Sequence, residues 1–207
     1  MALTTVASDF KASLRQCDNL IAHAHREDAT GVLLLPDIDR RQITVAAFLN
    51  CFIAWETFLE QGLVEFLLGA PTLSGRSPKR FIFPRSREDA QKMIVGNARF
   101  FDFSNPDIIG RFVDLYFENG YPFQPTLKQI NLTLLDLKSL RNAAAHMSAT
   151  TQKAFQAAGL RLLGRPVVGM DLYDILTANS LASSTGGTVY SDHRDKLIVA
   201  ADAITKG

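Results

Sequence analysis

Apolar residues recur three and four positions apart over most of this chain, the period of helices that bury one face. Phe10, Leu14, Cys17, Leu20, Ile21 and Ala24 mark a first helix over Ala7 to Glu27. Pro36 ends the apolar turn GVLLL. Asp37 or Asp39 then stands ready to cap a second helix that runs to about Leu68 and is closed by Gly69 and Pro71. Phe48, Phe52, Trp55, Leu59, Leu63 and Phe66 form its main stripe, which Leu49, Ile53 and Val64 widen. A helix apolar over most of its circumference belongs in the middle of a bundle.

Thr72 to Arg85 reads as a loop, and Ser86 with Asp89 as the cap of a third helix reaching about Arg99. Asp107 to Glu118 is a short amphipathic helix stopped by Asn119, Gly120 and Pro122. Pro125 and Thr126 open the next helix, and Gln152 to Leu163, Asp171 to Leu181 and Asp192 to Ile204 complete the count. Arg165 to Met170 is a candidate strand, which leaves room for a short β-hairpin near the C-terminus. Ser183 to Thr188, SSTGGT, reads as a flexible connection; its glycine pair lacks the lysine and the preceding strand of a P-loop. The pattern predicts an all-α bundle forming a single domain over residues 1–207.

With 47% hydrophobic and 21% charged residues, the chain can bury a substantial core. Lys and Arg total 22 against 21 acidic residues, so a net charge of +1 gives no global attraction to nucleic acid or membrane. Cys17 and Cys51 are too few for a disulfide framework or a thiolate zinc site, and point to a reducing, cytoplasmic setting. Asp9 and Lys11 interrupt what an export signal would need as an apolar run. The most hydrophobic window, Ile43 to Leu68, carries Asn50, Glu56, Glu60, Gln61 and Glu65. An acidic residue at a bilayer centre costs about 2.5–3.5 kcal/mol, so a buried helix is expected rather than a membrane span. His23 and His25 lie about 200° apart on a helix, cannot clamp one metal from one face, and read as surface residues. No metal site or cofactor is expected.

Charge matters locally. Arg76, Lys79, Arg80, Arg85, Arg87, Lys92 and Arg99 face only Glu88 and Asp89, with Phe81 and Phe83 interleaved. Such a segment can hold a single RNA strand by phosphate contact and base stacking; equally, FIF is how a solvated loop pins itself to a core.

The densest chemistry is RNAAAH, residues 141–146: Arg141 is a permanent cation, Asn142 a carboxamide and His146 an acid/base titrating near neutral pH. These are groups that in-line cleavage of an RNA phosphodiester can use. On the helix, Arg141 extends the apolar row Leu127, Ile130, Leu134 and Leu137, so it must be paired or reach an anion. Glu56, an isolated carboxylate beside Trp55, is a candidate partner. Asn142 and His146 continue a second row through Leu132, Leu135 and Ser139. Arg141 and His146 are about 140° apart, so one helix presents a splayed half-site. A two-fold dimer would converge two copies. Ala143, Ala144 and Ala145 permit close approach, and are also simply good helix formers.

LKSLRNAAAHMS resembles the signature of the HEPN superfamily of small helical bundles, and AFLNCFIAWETFLEQGLVEFLLG resembles their first long core helix with its embedded Glu. The form is most similar to the RiboL-PSP and MAE-type groups, over about residues 38–164, with flanking helices outside. The resemblance implies a metal-independent endoribonuclease acting as a homodimer. In it Arg141 would bind the scissile phosphate, His146 would act as general acid/base in attack by the 2′-hydroxyl, and Asn142 would orient His146 or the ribose. Products would be a 2′,3′-cyclic phosphate and a 5′-hydroxyl. It further implies a toxin or antiviral-defence effector, restrained by an antitoxin or regulatory protein. Partners of minimal nucleotidyltransferases in the superfamily often carry Tyr two residues after the His; here that residue is Ser148. Two other readings compete: a non-catalytic RNA- or nucleotide-binding module, and a helical protein-interaction scaffold in which Arg141 pairs with Glu56.

Overall fold

Nine α-helices and one 3₁₀ turn dominate the computed structural model, which describes residues 2–96, 101–145, 148–183 and 186–207. They are α1 (Leu3–Ala24), α2 (Asp37–Leu68), α3 (Arg87–Val95), α4 (Pro106–Tyr116), α5 (Phe123–Gln129), α6 (Asn131–Ala145), α7 (Ala149–Leu163), α8 (Leu172–Thr177) and α9 (Val189–Lys206). Among the described residues β pairing is limited to three isolated antiparallel bridges, Glu27 with Leu33, Arg80 with Phe117 and Asn179 with Thr188. The expected all-α class is what the protein shows.

Local chemistry explains where the helices depart from the sequence pattern. α1 begins earlier than Ala7 because Leu3 and Val6 are buried. It stops before Glu27, since the Asp28 carboxylate accepts from the backbone N–H groups of Thr30 and Val32 and turns the chain. Asp37 sits inside the first turn of α2, where its carboxylate takes Arg40 at 2.9 Å and Arg41 at 2.6 Å. α3 has its cap at Ser86, whose hydroxyl accepts from the Asp89 N–H, but it ends at Val95, where Gly96 adopts φ 59°. The single helix expected from Pro125 is two: Ile130 leaves helical geometry between α5 and α6. No strand forms over 165–170, contrary to the candidate hairpin. Gly169 turns at φ 79°, and Met170 N–H bonds Val167 C=O at 3.1 Å.

The chain divides into two compact units, one of Met1–Lys11, Trp55–Leu135 and Lys196–Gly207, the other of Ala12–Ala54 and Asp136–Asp195. α1, α2, α6 and α9 each contribute a segment to both. In the first, Phe10 of α1 packs on Trp55 and Phe58 of α2 at centroid distances of 6.0 and 5.1 Å, and Phe66 meets Phe123 edge-on at 5.5 Å. Arg87 of α3 ion-pairs with Glu65, a buried carboxylate of α2. Gly120 is obligatory: φ is 63°, and a Cβ would strike Asp114 and Gln124.

In the second unit, Asp136 of α6 is buried and ion-paired with Arg161 of α7, while Arg194 of α9 meets Asp18 of α1 at 2.5 Å. Arg41 gathers Asp37, Asp171 and Asp174 and lies 4.6 Å from the centre of the Tyr173 ring. His23 is exposed as expected, but His25 is half-buried, its Nε2 3.1 Å from the Tyr173 hydroxyl. Cys17 and Cys51 are buried free thiols. α2 is long and apolar enough, by length and composition, to cross a bilayer; within the protein its Phe48, Phe52, Trp55, Leu59, Leu63 and Phe66 are buried.

Two outcomes follow. A Cβ on Gly159 would lie 2.7 and 2.8 Å from the Val167 methyls and 3.0 Å from Ile175 Cδ1. Gly159→Ala is therefore expected to cost about 1–3 kcal/mol by overpacking, read from urea denaturation. Burial pushes the Cys17 thiol up to about 11 and the Cys51 thiol up to about 12. In the native protein at pH 8 the smaller thiolate fraction should slow reaction with a thiol reagent, relative to the unfolded chain, roughly two orders of magnitude at Cys17 and roughly three at Cys51.

Candidate functional site

The final turn of α6 presents Arg141 and Asn142 half-buried, Ala143 buried, and Ala144 and Ala145 exposed. The Arg141 guanidinium donates to Asn142 Oδ1 at 3.1 Å and stands 6.0 Å from the centre of the Phe52 ring of α2. That ring and that carboxamide hold the fork in one place without a neutralising carboxylate among the described residues, which leaves its charge available to an anion. With Oδ1 committed to Arg141, the amide offers Nδ2 as its donor, which suits a phosphate or ribose oxygen. His146 lies outside the described residues, as does Met147. Glu56 is half-buried next to Trp55 on α2 and belongs to the first unit, whereas Arg141 belongs to the second.

The apolar row beneath the motif is largely as the periodicity predicts. Leu127, Leu134 and Leu137 are buried, and Ile130 is half-buried at the break between α5 and α6. The second row is different in kind: Leu132 is 57% and Leu135 38% exposed, so the motif helix turns leucines outward. Asp136, which no periodicity picks out, is the buried carboxylate that fastens α7 through Arg161. Directly after the motif, Ser148 caps α7 reciprocally: its hydroxyl accepts from Thr151 N–H at 3.2 Å, and its own N–H donates to Thr151 Oγ1 at 2.8 Å. The short hydroxyl at this position serves to start a helix.

The basic segment sorts into committed and uncommitted cations. Arg80 Nη1 donates to Leu67 C=O at 2.6 Å and satisfies a terminal carbonyl of α2; its guanidinium lies 4.9 Å from the centre of the Phe83 ring. Lys79 meets Glu118 at 2.5 Å, Lys92 meets Glu88 at 2.7 Å, and Arg87 is taken by Glu65. Arg76 is exposed and stacks on Tyr121 at 4.1 Å. Arg85 is exposed with no ion pair among the described residues. Arg99 lies outside them.

Of the two roles open to the phenylalanines, anchoring falls to the backbone instead. Phe81 N–H bonds Tyr116 C=O at 3.0 Å and Arg80 bridges Phe117, while the Phe81 and Phe83 rings are 54% and 70% exposed. Phe83, Arg85, Asp89, Lys92 and Met93 line an open groove of about 410 Å3. A second, polar cavity of about 290 Å3 is lined by Asp107, Arg111, Asp114, Gln124, Lys128 and Asn131 of α4, α5 and α6, with Gln124 Nε2 donating to Asp114 at 2.6 Å. Its residues are spread over three elements, and no motif announces it. Among the described residues no three His, Cys, Asp or Glu side chains gather as a metal site would need.

No family model, no curated protein and no solved structure matches this chain.

Removing the donor to Leu67 C=O should be felt in the fold, whereas removing Arg85 should not. Arg80→Ala is expected to lower stability by about 1.5–3 kcal/mol, and Arg85→Ala to stay within about 0.5 kcal/mol of wild type. Urea midpoints of the two variants distinguish the roles.

Proposed function

We propose that the protein is a metal-independent endoribonuclease of the HEPN type, cytoplasmic, acting as a homodimer and serving as a toxin or antiviral-defence effector. The observation that carries this reading is the Arg141 fork, held by Asn142 and Phe52 with no carboxylate partner among the described residues, beside exposed alanines and five residues before His146 in the sequence. An arginine at the end of a buried row is costly unless an anion completes it, and an RNA phosphate is such an anion.

In the proposed reaction, one His146 imidazole removes the proton of a 2′-hydroxyl, and the freed oxygen attacks the adjacent phosphorus. Arg141 neutralises the charge that builds on the phosphoryl oxygens. The P–O5′ bond breaks as the partner's His146, in its protonated form, delivers a proton to the leaving oxygen. The products are a 2′,3′-cyclic phosphate and a 5′-hydroxyl. Because the nucleophile is the 2′-hydroxyl, DNA is not a substrate. The outward leucines 132 and 135 lie on the face that leads to Asn142, and a second copy covering them would bring two half-sites together. Glu56 is a supporting residue in this reading, and an antitoxin or regulatory protein would occupy the same exposed face.

The exposed Phe81 and Phe83 also favour a second reading, an RNA-binding module that does not cut. One assay separates them. The protein is incubated with RNA in excess EDTA beside His146→Ala and Arg141→Ala. Cleavage by wild type alone, slowed by at least about 10²-fold in His146→Ala, is the expected result; identical traces would sink the nuclease reading. Expression should also arrest growth, and Arg141→Ala should relieve the arrest.

A further inference from the structure

The groove beside Phe83 is built from side chains that serve no evident purpose in the fold. An exposed aromatic ring normally costs solubility, yet Phe83 is the most exposed phenylalanine among the described residues. Its orientation is nevertheless fixed, because the Arg80 guanidinium lies 4.9 Å from the ring centre and is itself tied to Leu67 C=O. Arg80 is thereby a support for the ring rather than a phosphate contact. Cation–π contact from one side leaves the opposite face open for a second flat group. Arg85 follows two residues later, exposed and without an ion pair among the described residues.

Asp89 stands at the edge of the same groove, on the first turn of α3. Its backbone N–H is used by Ser86, while its carboxylate accepts no hydrogen bond from a described residue. A carboxylate in a groove meant for a polyanion is unfavourable unless it accepts from donors on that ligand. Nucleobases supply such donors along their Watson–Crick edge, and guanine supplies two adjacent ones, N1–H and N2–H, matching a carboxylate's two oxygens.

We propose that this groove seats one unpaired guanine of a single-stranded nucleic acid, with Phe83 stacking on the base, Arg85 taking the neighbouring phosphate and Asp89 accepting from the base edge. The proposal deepens the RNA reading and rests on it for the class of substrate. Arg85, with no ion pair among the described residues, supplies the charge complementarity, and the absence of a paired strand follows from geometry, since a base stacked on Phe83 has left its duplex.

Binding can be read without cleavage by using fluorescein-labelled single-stranded DNA dodecamers, which lack the 2′-hydroxyl. Wild type should bind thymidine strands containing scattered guanines more tightly than all-thymidine strands, and more tightly than the same sequence as duplex. Phe83→Ala should weaken single-strand binding about tenfold, and Phe83→Trp should preserve it. Arg85→Gln should reduce the slope of log affinity against log salt by about 0.7. Asp89→Asn should remove the guanine preference while binding of all-thymidine strands persists.

Equal affinity of wild type and Phe83→Ala, equal affinity for single strand and duplex, or a guanine preference retained in Asp89→Asn would overturn the proposal. Circular dichroism of each variant confirms that the fold is intact. A protein that fails to cut RNA in EDTA but shows these binding differences would therefore refute the nuclease reading and leave the groove standing.

Discussion

α2 is 32 residues long, about 48 Å from end to end; only the stripe Gln42, Ala46, Asn50, Ile53 and Thr57 faces outward over its middle turns, and Phe48, Cys51, Phe52, Trp55, Phe58, Leu59, Leu63, Phe66 and Leu67 are buried along it. Each such side chain stabilises by about 1.5–3 kcal/mol only if something covers it, so the neighbouring helices are recruited by this one. Phe10 of α1 covers Trp55 and Phe58; Phe123 of α5 covers Phe66. The end of α2 propagates the constraint. Its last carbonyls need donors, and Arg80 supplies one at Leu67, which places Phe83 and the basic segment where they are. The loop's geometry is thus a by-product of finishing a core helix.

Ion pairs then sort the arginines. Glu65 with Arg87, Asp136 with Arg161, Asp18 with Arg194, and the carboxylates around Arg41 fasten helices together inside each unit. Pairs of this kind add little net stability compared with apolar packing, but removing one partner strands a charge, so they fix which helix meets which. Arginines employed this way are unavailable to a ligand. Arg141 and Arg85, like Arg76, are claimed by no carboxylate among the described residues. A near-zero net charge therefore says little about anion binding, because the cations that matter are those left over after the fold has taken its share.

Much of this was legible in the residue pattern. The all-α class, the end of α2 at Leu68 and the cap at Ser86 follow from periodicity and capping chemistry, which are local. Asp136 was invisible because its partner is 25 residues away, and a carboxylate between Leu135 and Leu137 looks like a surface residue until Arg161 is seen beside it. The break at Ile130 was hidden for the opposite reason: the apolar row continues across it, so the pattern of a single helix survives although the backbone does not. At the site, sequence identified Arg141 and Asn142 but not their mutual hydrogen bond. It left the roles of Phe81 and Phe83 undecided, since exposure is a property of the whole fold.

The cap at Ser148 bears on how activity at the motif would be governed. Its hydroxyl is turned back onto the first turn of α7, accepting from Thr151 N–H and meeting Thr151 Oγ1 at 3.2 Å. A larger side chain at this position would lose those hydroxyl bonds and weaken the start of α7 by about 1 kcal/mol. A bulky group on the Ser148 hydroxyl would likewise displace it from the cap, so marking this residue and starting α7 compete. A covalent mark on Ser148 would therefore show itself as a loosened start of α7.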